Sequence, residues 1–573
     1  MIKVLKNIFV VLLTLTLFSC SGNEQRHNIT IVATTDVHGV IFGKDPSNGE
    51  QRESSMSKIS SFLSRQQDRN ILLLDNGDNI QGTPEVYYYN FEDTESKHLW
   101  PRVLNYIGYD AVTAGNHDIE AGHEVYDRIR DEYNFPMLAA NAISTETGEP
   151  YFEPYTIIRK GGLKIAVLGL ITPGVPGWLP EVLYEGIEFG DMTEAAARWM
   201  PEILENEPDL VVGLFHAGWN ESYGGGEPGS FKNENASLSV ARRVDGFDII
   251  FIGHDHDLMA DYIETESGDS VLIVDGGSHA RFLPLVDIEL IDSGQGRTIL
   301  LTRHLIKTDT LETDQAFDKE FSKDFSLIER YINREIAYLR NPISTRESFF
   351  GDSDFMDLIH SVQLETTGAD LSFAAPLSFD VSIDSGQLYV ADMFDLYRYE
   401  NMLYTIKLKG SEIDDYLEYS AALWFNTIDG KDSRILKYRD DSTNFLLNRS
   451  YNFDSAEGIN YTVDLSKTEG NRVEISAFTN GMTFCNDSVY TVAVNSYRGS
   501  GGGGHLTRGC SISEKDLSGR LLESTSKDLR YYMMKWIESN DTIEIRNNNN
   551  WRLEPKKLLG ERMQKEYSYL FNK

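Results

Sequence analysis

Ile29-Thr-Ile-Val-Ala-Thr-Thr-Asp-Val-His38 joins a β-branched apolar run to an aspartate and a histidine two residues apart. The run has the composition of a strand, without the alternation of one that faces water on one side. The pattern repeats in Ile71-Leu-Leu-Leu74, Ala111-Val-Thr113, Lys164-Ile-Ala-Val-Leu-Gly-Leu170, Leu210-Val-Val-Gly-Leu-Phe215 and Ile249-Ile-Phe-Ile252, with helical stretches between. Such alternation predicts an α/β domain. Strands this apolar must be buried on both faces, by helices or by a second sheet.

Polar residues gather where these runs end. Asp36-Val-His38, Gly77-Asp78, Gly115-Asn116-His117-Asp118, His216 and Gly253-His254-Asp255-His256 each follow one of the strands. Sites in open α/β sheets form at the carboxyl ends of strands. Taken singly, Asp36, Asp78 and Asn116 read as turn or N-cap residues, and the histidines as satisfied core or surface residues. Taken together they hold five of the chain's 12 histidines, which scattered structural roles do not explain. Imidazole, carboxylate and amide oxygen suit borderline divalent ions such as Zn, Mn, Fe or Co. Asp36 and His38 can reach one ion from an extended backbone, and the two oxygens of Asp78 can bridge two ions.

In this order and spacing the five segments resemble the calcineurin-like metallophosphoesterases, in particular the bacterial periplasmic 5′-nucleotidase and 2′,3′-cyclic-nucleotide 2′-phosphodiesterase branch. The resemblance implies a sandwich of two mixed sheets flanked by helices. It also implies two divalent metal ions, one held by Asp36, His38, Asp78 and His256 and the other by Asp78, Asn116, His216 and His254. His117 matches the family's catalytic histidine, which stays off the metals and assists as charge develops. The carboxylate that holds its tautomer is an aspartate three residues later in many relatives. Here that position is Glu120, and Asp118 is the alternative partner. The reaction implied is in-line hydrolysis of a phosphate ester with no covalent enzyme intermediate.

The metallophosphoesterase domain is expected to span residues 28–305. Thr308 to Leu339 is charged, with apolar residues at Phe317, Phe321, Phe325, Ile328, Ile332 and Ile336, which predicts one long connecting helix within 306–340. A hinge there would let substrate be captured and product released. Residues 341–555 then form an α+β domain with strands such as Leu403-Tyr-Thr-Ile-Lys-Leu408 and Val489-Tyr-Thr-Val-Ala-Val494. This half is similar to the nucleotidase C-terminal domain. Tyr399 and Tyr497 match the two aromatic positions between which relatives stack the nucleobase, an arrangement tolerant of base identity.

Departures from the strict 5′-nucleotidase pattern bear on substrate. Ser372-Phe-Ala-Ala-Pro-Leu-Ser378 replaces an Asn-Gly-Gly-Gly-x-Arg segment, and Gly503 stands where an aspartate is expected. With Asn495-Ser-Tyr-Arg498 and Asn550-Trp-Arg552 they resemble the bifunctional 2′,3′-cyclic-nucleotide 2′-phosphodiesterase and 3′-nucleotidase group, so a nucleotide or cyclic nucleotide is the expected substrate. The competing readings are a 5′-nucleotidase or nucleotide-sugar hydrolase and, outside enzymes, a nucleotide-capture surface lipoprotein. Arg498 reads equally as a ligand contact or a salt-bridge partner, and Gly501 to Gly504 as a ligand cradle or a flexible turn.

The rest of the chain limits partners and location. A net charge of −36 opposes a long polyanion such as duplex nucleic acid. Lys3 and Lys6, an apolar run from Ile8 to Phe18 and Leu17-Phe-Ser-Cys20 form a lipoprotein signal over residues 1–19, with Cys20 as the lipidated terminus. Membrane attachment is then by lipid anchor alone, on an exported periplasmic or outer-membrane protein. Cys485 and Cys510 remain, either paired or as free thiols.

Overall fold

The computed structural model describes residues 25–571 apart from 67–68, 223–226, 294–296, 429–432 and 440–443. The predicted leader and Cys20 lie outside the described residues. Among those described, no helix is long and apolar enough to cross a membrane.

Fourteen strands build the first half. In chain order they are β1 (Gln25–Thr34), β2 (Ile71–Asp75), β3 (Ala111–Thr113), β4 (Met137–Leu138), β5 (Ala142–Ser144), β6 (Tyr155–Lys160), β7 (Leu163–Ile171), β8 (Ile187–Phe189), β9 (Leu210–His216), β10 (Ile249–Ile252), β11 (Leu258–Glu264), β12 (Ser270–Gly276), β13 (Phe282–Asp292) and β14 (Arg297–Lys307). Two six-stranded sheets result, ordered β14-β13-β1-β2-β3-β4 and β11-β12-β10-β9-β7-β6, while β5 pairs with β8 alone. The central strands of each sheet are parallel and the outer hairpins antiparallel.

Side-chain direction sorts the apolar runs into separate cores. Ile29, Ile31 and Ala33 of β1 and Leu72 and Leu74 of β2 meet Ile165 and Val167 of β7 and Leu210 and Val212 of β9 between the sheets. Val32 and Leu73 point the other way, onto Met56, Ile59, Trp100 and Leu104 of helices Met56–Ser64 and Leu99–Ile107. On the far side, Val211 and Phe215 meet Met200 and Ile203 of helix Met192–Glu205. Both expected forms of cover are therefore present, sheet on sheet within and helices without.

The connector departs from expectation. Instead of one long helix, Gln315–Glu320 and Ser322–Ile332 are two helices meeting at Phe321, whose φ of −95° and ψ of 13° leave the helical region. The 3.6-residue apolar spacing survives the break because Phe317, Phe321, Ile328 and Ile332 all pack into one core with the first sheet. Ile336 belongs to a strand, Glu335–Leu339, where apolar residues two apart serve a sheet of the second domain.

In that domain a five-stranded sheet is ordered Ser455–Glu457, Leu371–Ala374, Val489–Asn495, Met402–Lys409, Leu521–Asp528. Val492 and Val494 face helix Gly410–Trp424, and Ala493 faces helix Asp354–Thr367. The last helix, Lys556–Phe571, buries Leu559, Leu570 and Phe571 in the same core, so the domain extends past the expected end at residue 555.

Candidate metal centre

The parallel register of β1, β2 and β3, and of β9 and β10, aligns their carboxyl ends along one edge of the sandwich. The loops leaving those ends bring the expected residues together. Asp36, His38 and His256 form one group, and Asp78, His216 and His254 another, with the candidate ligand atoms of each group within 4.8 Å of one another. His38 Nε2 lies 3.1 Å from His256 Nε2, which lies 3.4 Å from Asp36 Oδ1. His216 Nε2 lies 3.1 Å from Asp78 Oδ2 and 3.2 Å from Asn116 Oδ1, which carries Asn116 into the second group.

The loops reach these positions on backbone that side chains rarely adopt. Asp36 (φ 50°), His38 (50°), Asp78 (56°), His254 (80°) and His256 (60°) are all left-handed. Glycines bring the loops into contact. A Cβ on Gly115 would lie 2.2 Å from Asp78 Oδ1, and one on Gly253 would lie 2.5 Å from Asp36 Oδ2.

Hydrogen bonds behind the cluster fix the rings. His216 Nδ1 lies 2.6 Å from the Asn76 carbonyl and His38 Nδ1 3.2 Å from that of Gln81, so each ring donates from Nδ1 and turns Nε2 inward, where a bound cation would take the place of a proton. Burial opposes ionisation of Asp36, but its hydrogen bond to His256 and the charge of His216 hold it down at about 2. Burial likewise opposes an ionised Asp78, and His216 and His117 hold it well below the usual carboxylate range. Two buried anions, ring nitrogens with fixed tautomers and an amide oxygen fit a pair of borderline divalent cations.

His117 stands beside both groups, half-buried. Its Nε2 lies 4.0 Å from Asp78 Oδ2 and its Nδ1 2.5 Å from Glu120 Oε2. Asp118 is occupied elsewhere, accepting from the backbone N–H groups of Asp78 (3.0 Å), Asn79 (2.9 Å), Ile80 (3.3 Å) and Gly115 (2.8 Å). Of the two partners considered for His117, the structure joins Glu120 to the ring and uses Asp118 to tie two loops together. Burial opposes the imidazolium, but Asp78 and Glu120 outweigh it and raise His117 to about 10.

Three neighbours escaped the sequence reading. His279, at φ 58°, has its ring 5.2 Å from that of His38. It lies in the Gly277-Ser278-His279 loop after β12, the same signal of a polar residue just past a buried strand as in the other segments. Glu234 Oε1 lies 3.1 Å from His254 Nε2, and Trp178 stacks on the His254 ring at 5.4 Å. Neither of the last two follows a strand, so no pattern marked them.

In the second domain Tyr399 precedes strand Met402–Lys409 and Tyr497 follows strand Val489–Asn495. The pairing of Leu403 with Asn495 brings these two ends side by side. Tyr451 stands edge-on to both, 6.0 Å from Tyr399 and 6.3 Å from Tyr497. Arg498 is 1% exposed and pairs with Asp454 through Nε at 3.1 Å and a terminal nitrogen at 2.9 Å. Of the two roles considered it takes that of salt-bridge partner, and the pair is buried rather than at the surface. The glycine run serves the packing around it, since a Cβ on Gly503 would lie 2.0 Å from an Arg498 nitrogen and one on Gly502 2.5 Å from the Tyr497 ring. Cys485 is exposed and Cys510 buried, and both are free.

Comparison with known proteins agrees with this anatomy. Residues 29–258 match the calcineurin-like phosphoesterase family and residues 334–508 the 5′-nucleotidase C-terminal domain. The trifunctional nucleotide phosphoesterase protein YfkN of Bacillus subtilis is 28% identical over 93% of this chain, which spans 39% of that protein's length. The 2′,3′-cyclic-nucleotide 2′-phosphodiesterase/3′-nucleotidase of Yersinia enterocolitica is 25% identical over 92% of this chain and 88% of its own. The fold is shared with a 5′-nucleotidase precursor from Thermus thermophilus, at a TM-score of 0.62 and 20% identity over 92% of this chain and all (100%) of that one. The chain therefore belongs to the metallophosphoesterases, hydrolases of phosphate esters, and joins a calcineurin-like phosphoesterase domain to a 5′-nucleotidase C-terminal domain.

Proposed function

We propose that the protein is a two-metal hydrolase that opens 2′,3′-cyclic nucleotides and then removes the remaining 3′-phosphate to release a nucleoside. The observation that carries the hydrolytic reading is the meeting of two ligand groups beside the His117–Glu120 pair. In this reading Asp36, His38, Asp78 and His256 hold one ion, and Asp78, Asn116, His216 and His254 the other. A bound pair of Zn, Mn or similar ions supplies positive charge to offset the negative charge that grows on the phosphoryl oxygens. Glu120 holds Nδ1 of His117, leaving Nε2 to hydrogen-bond the developing charge and hand a proton to the departing sugar oxygen. Asp118 keeps the Asp78 and Asn116 loops in register, so the ligands keep their positions as substrate comes and goes.

The substrate choice draws on the second domain. Tyr399 and Tyr497, with Tyr451 edge-on to both, suit a planar base held by stacking, which accepts purines and pyrimidines alike. Relatives aligned over most of the chain carry the cyclic phosphodiesterase and 3′-nucleotidase name, and the Ser372–Ser378 segment and Gly503 depart from the 5′-nucleotidase pattern. The test is kcat/KM for 2′,3′-cyclic AMP, 3′-AMP and 5′-AMP on metal-loaded protein. The first two are expected to lead, and a clear lead for 5′-AMP overturns the assignment in favour of a 5′-nucleotidase.

The leader supports export and lipid attachment at Cys20. Radiolabelled palmitate should enter the parent protein and not the Cys20→Ser variant. Equal labelling of the two rejects the anchor.

A further inference from the structure

His254 is held differently from two other histidines of the centre. His38 and His216 give Nδ1 to backbone carbonyls and turn Nε2 inward. In His254 it is Nε2 that meets an outer partner, 3.1 Å from Oε1 of Glu234. A ring nitrogen opposite a carboxylate oxygen at that distance carries a hydrogen, since two acceptors repel. It then has no lone pair left for an ion. His254 still brings one ring nitrogen to within 4.8 Å of the donor atoms of Asp78 and His216, and Nδ1 is the nitrogen left for that role.

Buried contacts on its own backbone and neighbours place Glu234. Its carbonyl accepts from Thr172 Oγ1 at 2.8 Å, and the Thr172 N–H donates to the His216 carbonyl at 2.8 Å. Asn233 and Asn235, on either side, tie the segment to the loop that leaves β9. Asn235 Oδ1 accepts from Gly218 N–H at 3.1 Å, and Asn233 Nδ2 donates to the Glu221 carbonyl at 2.9 Å. Thr172, Asn233 and Asn235 are all buried. The carboxylate is thus carried on the same framework as His216. Trp178 covers the His254 ring at 5.4 Å with an interplanar angle of 29°, so one neighbour sets the ring plane and the other its hydrogen.

The side chains of Glu234 and His254 are 31% and 12% exposed. An ion pair that open to water adds little stability. Its effect falls on the ring, because the acceptor on one nitrogen of a metal-binding histidine orients the ring and makes the other nitrogen a better ligand. For His38 and His216 the backbone does this, and for His254 a side chain does.

We propose that Glu234 is a positioning residue of the metal centre, which holds the Nε2 hydrogen of His254 and so presents Nδ1 to the ion shared with Asp78, Asn116 and His216. The inference rests on the two-metal reading above.

The experiment equilibrates zinc-loaded full-length protein with a series of buffered free zinc concentrations and counts the bound ions by elemental analysis, which gives the affinity of each. Glu234→Ala should weaken one of the two about 10- to 100-fold. Glu234→Gln, whose amide oxygen still accepts the hydrogen, should fall between that variant and the parent. Cobalt-loaded protein supplies a second reading. There the Nε2 hydrogen of His254 gives a paramagnetically shifted proton signal, assigned by its absence in His254→Ala. It should exchange with water faster in Glu234→Ala, while the Nδ1 hydrogens of His38 and His216 exchange as in the parent. Parental affinity in Glu234→Ala overturns the assignment, and so does weakened binding beside an unaltered His254 signal. Should the alanine variant fail to fold, parental affinity and exchange in Glu234→Gln overturn it instead. A parent that binds fewer than two ions removes the two-metal reading. A parent that binds two, beside a variant of parental affinity, removes Glu234 alone.

Discussion

The metal centre and the tyrosine site hold their side chains by opposite means. Asp36, His38, Asp78, His254 and His256 all sit in the left-handed region, at about 1–3 kcal/mol each for a residue other than glycine. Asp36 and Asp78 are also wedged against glycines with no room for a methyl group. Tyr399, Tyr451 and Tyr497 are absent from the left-handed residues; ordinary antiparallel pairing of two strand ends brings Tyr399 and Tyr497 side by side, and Tyr451 joins them from the turn Ser450–Asn452. Cation ligation demands donor atoms fixed to within tenths of an ångström, and strained backbone is tolerated where it secures that. Stacking on a base asks only for a flat surface at the right spacing.

If that contrast is correct, small changes near the metals should be ruinous and larger ones near the tyrosines mild. The largest effect is expected for Asp78→Ala, a loss in kcat of roughly a thousandfold or more, beyond that of a single transition-state donor. Elemental analysis should find metal lost with it, and a variant that keeps both metal and turnover breaks the comparison at its root. Gly115→Ala should approach the same end without removing a ligand, because the new methyl meets Asp78 Oδ1 at 2.2 Å. Full activity there would mean the loops are looser than they look.

His117→Ala should cost about a hundredfold to ten-thousandfold in kcat while metal content stays at the parent level. Metal loss in this variant would recast His117 as a ligand. In the second domain, Tyr497→Ala should raise KM for a nucleotide by about 5- to 150-fold, the worth of one stacking partner, with Tyr497→Phe near the parent. Isothermal titration with the released nucleoside gives an independent reading.

The smallest effect concerns stability. Burial and the charge of Asp352 push the Asp357 carboxyl from 3.8 to about 8. The folded state then keeps a proton that the unfolded state releases. Stability is full below pH 4 on this account and falls as the pH rises towards 8. Melting curves at pH 5 and pH 8 should draw together in Asp357→Asn by about 2–4 °C. An unaltered gap would place the pH dependence elsewhere.

The first site was legible because metal chemistry leaves a local trace. Each ligand group ends a buried apolar run, so Asp36, His38, Asp78, Asn116, His216, His254 and His256 could be picked out and expected to converge, as they do. The same signal marks His279, which a stricter reading of every strand end would have included. Glu234, Trp178 and Tyr451 had no such trace, because their positions depend on how separate loops pack. The connector misled for a related reason. Apolar residues spaced for one face of a helix also fit two helices laid end to end on one core, and nothing in that spacing reveals that Phe321 leaves helical geometry. Arg498 was ambiguous because Asp454, 44 residues away, decides its role.

The broken connector also constrains any relative motion of the halves. Its second helix, ending at Ile332, is part of the first domain's core, and the strand that starts at Glu335 is already part of the second domain's sheet. Only Asn333 and Arg334 lie between, and the Ile332 and Arg334 carbonyls accept from Ala391 and Val390 of the second domain. With four backbone torsions at its disposal, the second domain has little freedom to translate or tumble. Any rotation of one half on the other has to be made from those four torsions, so two peptide units set its axis.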